Sequence, residues 1–278
     1  MAYVELDDAP IDCASDIPGT RLQRLGKVKA IATALVTASV TAALVFCFAP
    51  LSAVAAPFED AVAAYNKGDF STALQIWRPL ADQGDAMAQI RIGGLYADGD
   101  GVPQSYGEAM NWFRKAADQG NARAQFNIGT LFYNGQGTPR SYPEALKLFN
   151  LAADQGHSSA LFSLGDMFAQ GQGVLKNEVE ASAKYRLAAE QGHAGAQFTL
   201  ALRSAKGQGV EKSDAEAIRW AKLAANQGHV LAQYNLGIMY DKGQGVKRDY
   251  VEALKWLRLA AAQGKLEAEL YVANIHEH

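Results

Sequence analysis

The chain has 278 residues, 49% of them hydrophobic and 20% charged, with a formal net charge of −3. That apolar content supports a folded core, and the slightly acidic balance gives no basic footprint for nucleic acid. The two cysteines, Cys13 and Cys47, both stand near the N-terminus, so disulfides, a thiol nucleophile and a cysteine metal site are excluded from the rest of the chain.

Residues 1–26 (MAYVELDDAPIDCASDIPGTRLQRLG) are polar and aperiodic and read as a disordered N-terminus. A start assigned too early would also account for them, with Val28 as an alternative bacterial start. Residues 27–55 follow the order of a secretory signal. A cationic flank (Arg21, Arg24, Lys27, Lys29) precedes an uncharged apolar run from Ala30 to Ala49, then Pro50 and the small-x-small pattern Ala53-Val54-Ala55. Cleavage after Ala55 is preferred to cleavage after Ala56, which would leave Pro57 directly behind the cut. The run is nearly long enough to span a bilayer, so an uncleaved membrane anchor is the alternative. In both cases the positive flank holds the N-terminus in the cytoplasm and places the remaining chain outside it, in the periplasm of a Gram-negative host. Phe46 ahead of Cys47 argues against a lipoprotein signal, which needs a small residue there.

From residue 58 onward one signal dominates. Gln83-Gly84, Gln119-Gly120, Gln155-Gly156, Gln191-Gly192, Gln227-Gly228 and Gln263-Gly264 recur every 36 residues. Between them Gly99/Gly101, Gly135/Gly137, Gly171/Gly173, Gly207/Gly209 and Gly243/Gly245 keep the same step. A fixed period of this size marks a stacked repeat array. Residues 85–264 make five complete units (repeats one to five), 58–84 a shortened one and 265–278 a lone helix.

Each unit encodes two helices. In repeat two, Ala124, Ile128 and Leu131 stand at helical spacing, flanked by Gly129 and Phe132; Ala145, Leu148, Phe149, Ala152 and Ala153 form the second stripe. Gly156 ends the second helix. Asn121, with Asp85 and His157 at the same position, opens the next first helix as an N-cap. Pro139 and Pro143 follow the Gly-x-Gly turn, near a helix start where proline is tolerated. Small residues set the approach of the helices: Ala88, Ala124, Ala160, Ala196, Ala232 and Ala268 share one position, and Gly93, Gly129, Gly165 and Gly237 another. A glycine inside a helix costs roughly 1 kcal/mol against alanine, so its recurrence needs a packing reason. Trp112, Leu148, Trp220 and Trp256, at one position, are expected to fill the remaining space. Repeat four departs most, with Ala201 for the glycine, Ser204 for an aromatic and Asp214 for a tyrosine, and looser packing is expected there.

The unit A-x-x-x-[IL]-G-x-x-[FY]-x-x-G-x-G-V, then Y-x-x-A, then A-A-x-Q-G, resembles the SEL-one-like repeat (SLR) family, a relative of the tetratricopeptide repeats. The resemblance covers nearly everything after residue 57. It implies an all-α protein: a solenoid of αα-hairpin repeats wound into a right-handed superhelix, forming one domain over residues 58–278. Some exported members staple each repeat with a disulfide and are linked to penicillin-binding or β-lactamase roles. This chain lacks those cysteines.

Candidate chemistry is sparse. His157, His193 and His229 share one repeat position, which spaces them on the order of 10 Å apart, whereas metal ligands converge within ~2 Å of one ion. They are read as helix-start residues, and His276 and His278 as a frayed terminal pair. The Gly-x-Gly turns follow helices and lack the Gly-Lys-Ser/Thr ending of a phosphate loop. No nucleophile, base and orienting group form a fixed constellation. The expectation is a protein that is not an enzyme, needs no cofactor or metal, and acts outside the cytoplasm as a scaffold for a protein or peptide. An envelope enzyme acting on peptidoglycan or β-lactams, and a structural component of an export or polysaccharide assembly, are the alternatives. No nucleic acid is expected, and a membrane only through an uncleaved N-terminal segment. The oligomeric state stays open.

The expected binding surface is the face of each first helix opposite its core stripe, which the resemblance places in a concave groove. Its residues are Arg91 and Asp98; Arg123, Asn127, Thr130 and Asn134; Ser163, Asp166 and Gln170; Thr199 and Lys206; Asn235 and Lys242. Leu202, Leu231 and Ile238 stand in the same rows. The outer end of the face changes from Asp98 through Asn134 and Gln170 to Lys206 and Lys242, a polarity that would orient an extended peptide.

Overall fold

A computed structural model describes residues 52–275, which hold thirteen α-helices and no strand. The shortened unit is α1 (Ser52–Asn66) with α2 (Phe70–Asp82). Repeats one to three are α3 (Ala86–Asp98) with α4 (Tyr106–Ala117), α5 (Ala122–Asn134) with α6 (Tyr142–Ala153), and α7 (Ser158–Gln170) with α8 (Glu178–Glu190). Repeats four and five are α9 (Ala194–Lys206) with α10 (Asp214–Asn226) and α11 (Val230–Lys242) with α12 (Tyr250–Ala262); α13 (Leu266–Ile275) ends the stack. Extensive contacts run between consecutive helices only, which makes the array a solenoid. The backbone around the expected cut after Ala55 is helical, within the first turn of α1. The apolar run, both cysteines, His276 and His278 lie outside the described residues.

The helix boundaries follow from caps. Asp85, Asn121, His157, His193 and His229 sit at the same N-cap position, and each side chain accepts a hydrogen bond from the backbone N–H three residues on. The three histidines do so through Nδ1, at 3.3, 3.0 and 3.2 Å, and stack near Phe126, Phe162 and Phe198 with ring centres 4.8 Å apart. They are caps, as expected, and not ligands of a shared ion. The two turn glycines have separate tasks. Gly135 ends α5 in the left-handed conformation (φ 73°). Gly137, also at positive φ, touches the start of the preceding repeat's second helix: a Cβ there would meet Tyr106 Cβ at 2.6 Å.

Within a repeat the close contact is between the mid-helix glycine and a ring. A Cβ on Gly129 would stand 2.7 Å from Phe149 Cε1, and Gly93 and Gly165 meet Phe113 and Tyr185 at 2.5 and 2.6 Å. In repeat five Leu257 takes the ring's place against Gly237. Trp112, Trp220 and Trp256 are buried as expected, but they are not what meets the glycine. The partner of the glycine is the residue after Trp112, Leu148 and Trp256, because that next position on the second helix points straight at the first. In repeat four both members change together: Ala201 faces a column in which Phe113, Phe149, Tyr185 and Leu257 are replaced by Ala221.

In repeats one, two, four and five a glutamine pair joins the two helices of the repeat. Gln119 donates to Gln89 Oε1 (3.0 Å), and Gln155 to Gln125, Gln227 to Gln197 and Gln263 to Gln233 at 2.8, 2.7 and 2.8 Å. The buried Gln89, Gln197 and Gln233 then donate to carbonyls of the preceding second helix, at Ala81, Ala189 and Ala225. Three helices are thus linked through one amide pair, each bond contributing about 0.5–1.5 kcal/mol.

Gly129→Leu should lower the unfolding free energy by ~1–3 kcal/mol through overpacking, whereas Ala201→Gly should cost only the roughly 1 kcal/mol of helix propensity. Denaturant melts compare the two directly. A second outcome concerns pH. Burial lowers the His229 pKa below its ordinary value of 6.5, so the folded chain binds fewer protons than the unfolded chain near that pH. Its contribution to stability is complete above about pH 6.5 and is lost as pH falls through the folded-state value. His229→Asn, which keeps a capping oxygen but does not titrate, should show a flatter dependence of melting temperature on pH between about 7.5 and 5.

Candidate functional site

The first helices are the more enclosed of each pair. In α5 every residue from 124 to 131 is buried, while α6 keeps an exposed face. The expected binding residues stand on these first helices.

Their placement divides into two groups. Asp98, Gln170, Lys206 and Lys242 are exposed at the outer end of their helices. Arg123, Asn134, Asp166, Thr199 and Asn235 are half-buried. Arg91, Asn127, Thr130 and Ser163 are buried, with exposures of 4, 0, 0 and 8%. In repeats one to three the mid-helix positions of this face are thus shielded by neighbouring helices, and the helix ends remain open.

Several of these side chains already have work within the fold. Thr130 Oγ1 donates to Phe126 O (3.1 Å) and Asn235 Nδ2 to Leu231 O (2.7 Å), each within its own helix. Asn134 donates to Gln136 across the turn. Asp166 accepts from the Tyr185 hydroxyl at 2.6 Å. Burial raises the Asp166 pKa, a shift opposed by that hydrogen bond; burial and the Asp166 charge push the Tyr185 hydroxyl well above its usual range. Asn127 differs. It is fully buried, and neither its amide nitrogen nor its oxygen has a hydrogen-bond partner.

The charged residues of the outer row, Asp98, Lys206 and Lys242, are all exposed. Loss of hydration by partial burial, with like-charge repulsion from Asp100, pushes Asp98 up to about 6. At the other end Lys206 and Lys242 are exposed cations.

One group escaped the sequence reading. Arg203 is buried, donating Nε to Ser182 Oγ (2.7 Å) and a terminal nitrogen to Glu178 Oε2 (2.7 Å) and Glu178 O (2.9 Å). Its column holds Leu95, Leu131, Met167 and Met239 in the other repeats. A lone cation in an apolar column was the signal available. Glu178 replaces the tyrosine found at Tyr106 and Tyr142, so the pair is a joint exchange that keeps repeats three and four stacked. Among the described residues no three histidine, cysteine, aspartate or glutamate side chains are grouped to hold a metal ion, and no helix is long and apolar enough to cross a membrane.

Comparison with known proteins agrees with this architecture. The Sel1 repeat family matches five contiguous segments, residues 86–121, 122–157, 158–193, 194–229 and 230–265. The structure is similar to that of c5321, a protective antigen present in uropathogenic Escherichia coli strains and displaying an SLR fold. The identity is 35% and the TM-score 0.70, over 80% of this chain and 48% of that one. The chain thus spans about half of that antigen. A Sel1 repeat protein from Oxalobacter formigenes is 34% identical with a TM-score of 0.71, over 76% of this chain and 86% of that one. Immunity protein Pa5087 from Pseudomonas aeruginosa shares the fold alone, at 19% identity and a TM-score of 0.53, over 76% of this chain and 81% of that one. A search of curated proteins returned no match. With five repeats matched in register and the solenoid in place, the chain belongs to the Sel1 repeat family.

Proposed function

We propose that the protein is a non-enzymatic scaffold that holds an extended protein or peptide segment along the inner face of its first helices, outside the cytoplasm. Sel1 repeats commonly serve as protein–protein interaction scaffolds, which supports the general role. Export is supported by the order of cationic flank, apolar run and small-x-small pattern in residues 27–55.

The observation that carries the binding site is Asn127. A buried donor and acceptor left unmet cost about 1–3 kcal/mol, so a side chain kept in this condition calls for a reason beyond stability. One peptide group of a bound chain would offer the matching carbonyl and N–H together, and since Asn127 is fully buried this pairing requires its neighbours to part on binding. The row from Asp98 to Lys206 and Lys242 would then set the direction of that chain through charge.

The test separates stability from binding. Asn127→Leu keeps the volume and removes both unmet groups; it should melt at or above the natural chain's temperature yet capture less partner from envelope fractions. Lys206→Glu with Lys242→Glu should leave melting within about 0.5 kcal/mol, as exposed substitutions do, while weakening capture and changing its salt dependence. Unchanged capture by both variants would contradict the groove.

A further inference from the structure

Repeat four lacks the large side chain that the other repeats seat against their mid-helix glycine. A cavity of about 230 Å³ lies between α9, α10 and α11, with Ala201, Ala221 and Met239 in its wall. At the Ala221 column the other repeats carry Phe113, Phe149, Tyr185 and Leu257, each seated against a glycine. Here both members are alanine, and Ser204 and Asp214 replace aromatic residues of two further columns. The helices keep their caps and their contacts with both neighbours, so the lost bulk is not recovered by collapse. The volume exceeds the roughly 150 Å³ that accommodates a benzene ring and falls short of the roughly 300–1,000 Å³ of a small-molecule site. It suits one side chain.

The opening faces the groove. Leu202, 36% exposed, and Asn235 belong to the cavity wall and also to the inner rows of α9 and α11. The wall itself carries one cation, Lys212, and one anion, Asp214. Lys206 and Lys242 are exposed one turn beyond Leu202 and at the end of α11, and Lys212 adds a third cation. Asp214 opposes them from the wall, while nearby Asp241 is engaged by Arg248 and by the Tyr271 hydroxyl.

We propose that repeat four is an anchor site, in which the cavity takes one phenylalanine-sized apolar side chain from an extended, acidic segment of a partner protein lying in the groove. The partner's ring restores the ring-to-small-residue contact that the other repeats make internally. Its flanking carboxylates meet Lys206, Lys212 and Lys242. This inference rests on the groove reading above and adds to it the location and chemistry of the dominant contact.

The test uses the full chain and two synthetic peptides, acetyl-Gly-Glu-Phe-Glu-Gly-amide and its counterpart with alanine in place of phenylalanine. Binding is followed by titration and by the NMR resonance of the Met239 methyl group. The phenylalanine peptide should bind at least tenfold more tightly and shift the Met239 methyl; the alanine peptide should leave it in place. Filling the cavity from within, by Ala201→Gly with Ala221→Phe, should abolish the preference. Reversing Lys206 and Lys242 to glutamate should weaken both peptides and keep the tenfold ratio. Equal affinities on the natural chain, or a preference without a Met239 shift, overturn the anchor, and these two readings decide the matter even where the filled variant does not fold. A preference that persists in a folded, filled variant overturns it too. If charge reversal still weakens both peptides when no preference exists, the groove stands and the anchor falls. If the preference exists and charge reversal changes nothing, the anchor stands and the oriented groove falls.

Discussion

The packing of repeats one to three depends on the contact between a glycine in the middle of the first helix and the ring that the second helix presses against it, a place taken by Leu257 in repeat five. At 2.7 Å from Phe149, the vacant Cβ position of Gly129 leaves no room for a side chain. The helices of a repeat therefore approach at a fixed distance, and that distance sets where the next repeat can dock. The other recurring features act around this contact. Asparagine, aspartate or histidine caps fix where each first helix starts. The second turn glycine lets the backbone approach the preceding helix. The glutamine pairs join the two helices of a repeat, and in repeats one, four and five they reach on to a carbonyl of the repeat before. Since no repeat closes a core alone, a change in one contact is felt by its neighbours and little further.

Such an array separates shape from recognition. Columns that pack are nearly invariant from repeat to repeat, while the inner rows vary, and function resides in the departures. Two neighbouring departures have opposite character. Between repeats three and four, Arg203 and Glu178 replace apolar and aromatic residues, and the hydrogen bonds of Arg203 to Glu178 and to Ser182 fill the space with a satisfied polar pair. Within repeat four, Ala201 and Ala221 replace glycine and ring, and the space stays open. The first reads as repair of the stack, the second as an opening in it.

The period, the helix pairs, the caps and the shortened first unit were legible in the sequence because each rests on local chemistry repeated several times. Glycine at a helix end and asparagine at a helix start act within one turn, so spacing alone reveals them. Register across a helix pair was harder to see. Trp112 and Phe113 are adjacent in sequence and both buried, and only the rotation of the second helix decides which one meets the glycine. For the same reason the exchange of Ala201 was visible while its companion Ala221 was not. The burial of Arg91, Asn127, Thr130 and Ser163 was not foreseen. Periodicity gives the direction of a side chain, whereas shielding depends on the curvature of the whole stack. Asn127 and Lys206 looked equivalent in sequence and differ fully in exposure class.

The central claim, that glycine and ring act as one interaction, has a direct measurement. Gly129→Ala is compared by unfolding free energy in the natural chain and in a Phe149→Ala background. The account predicts a reversal of sign. Beside the ring the added methyl is destabilising, and beside alanine, as at Ala201 and Ala221, it is neutral or stabilising by up to roughly the 1 kcal/mol of helix propensity. The same effect in both backgrounds, within about 0.5 kcal/mol, would contradict it.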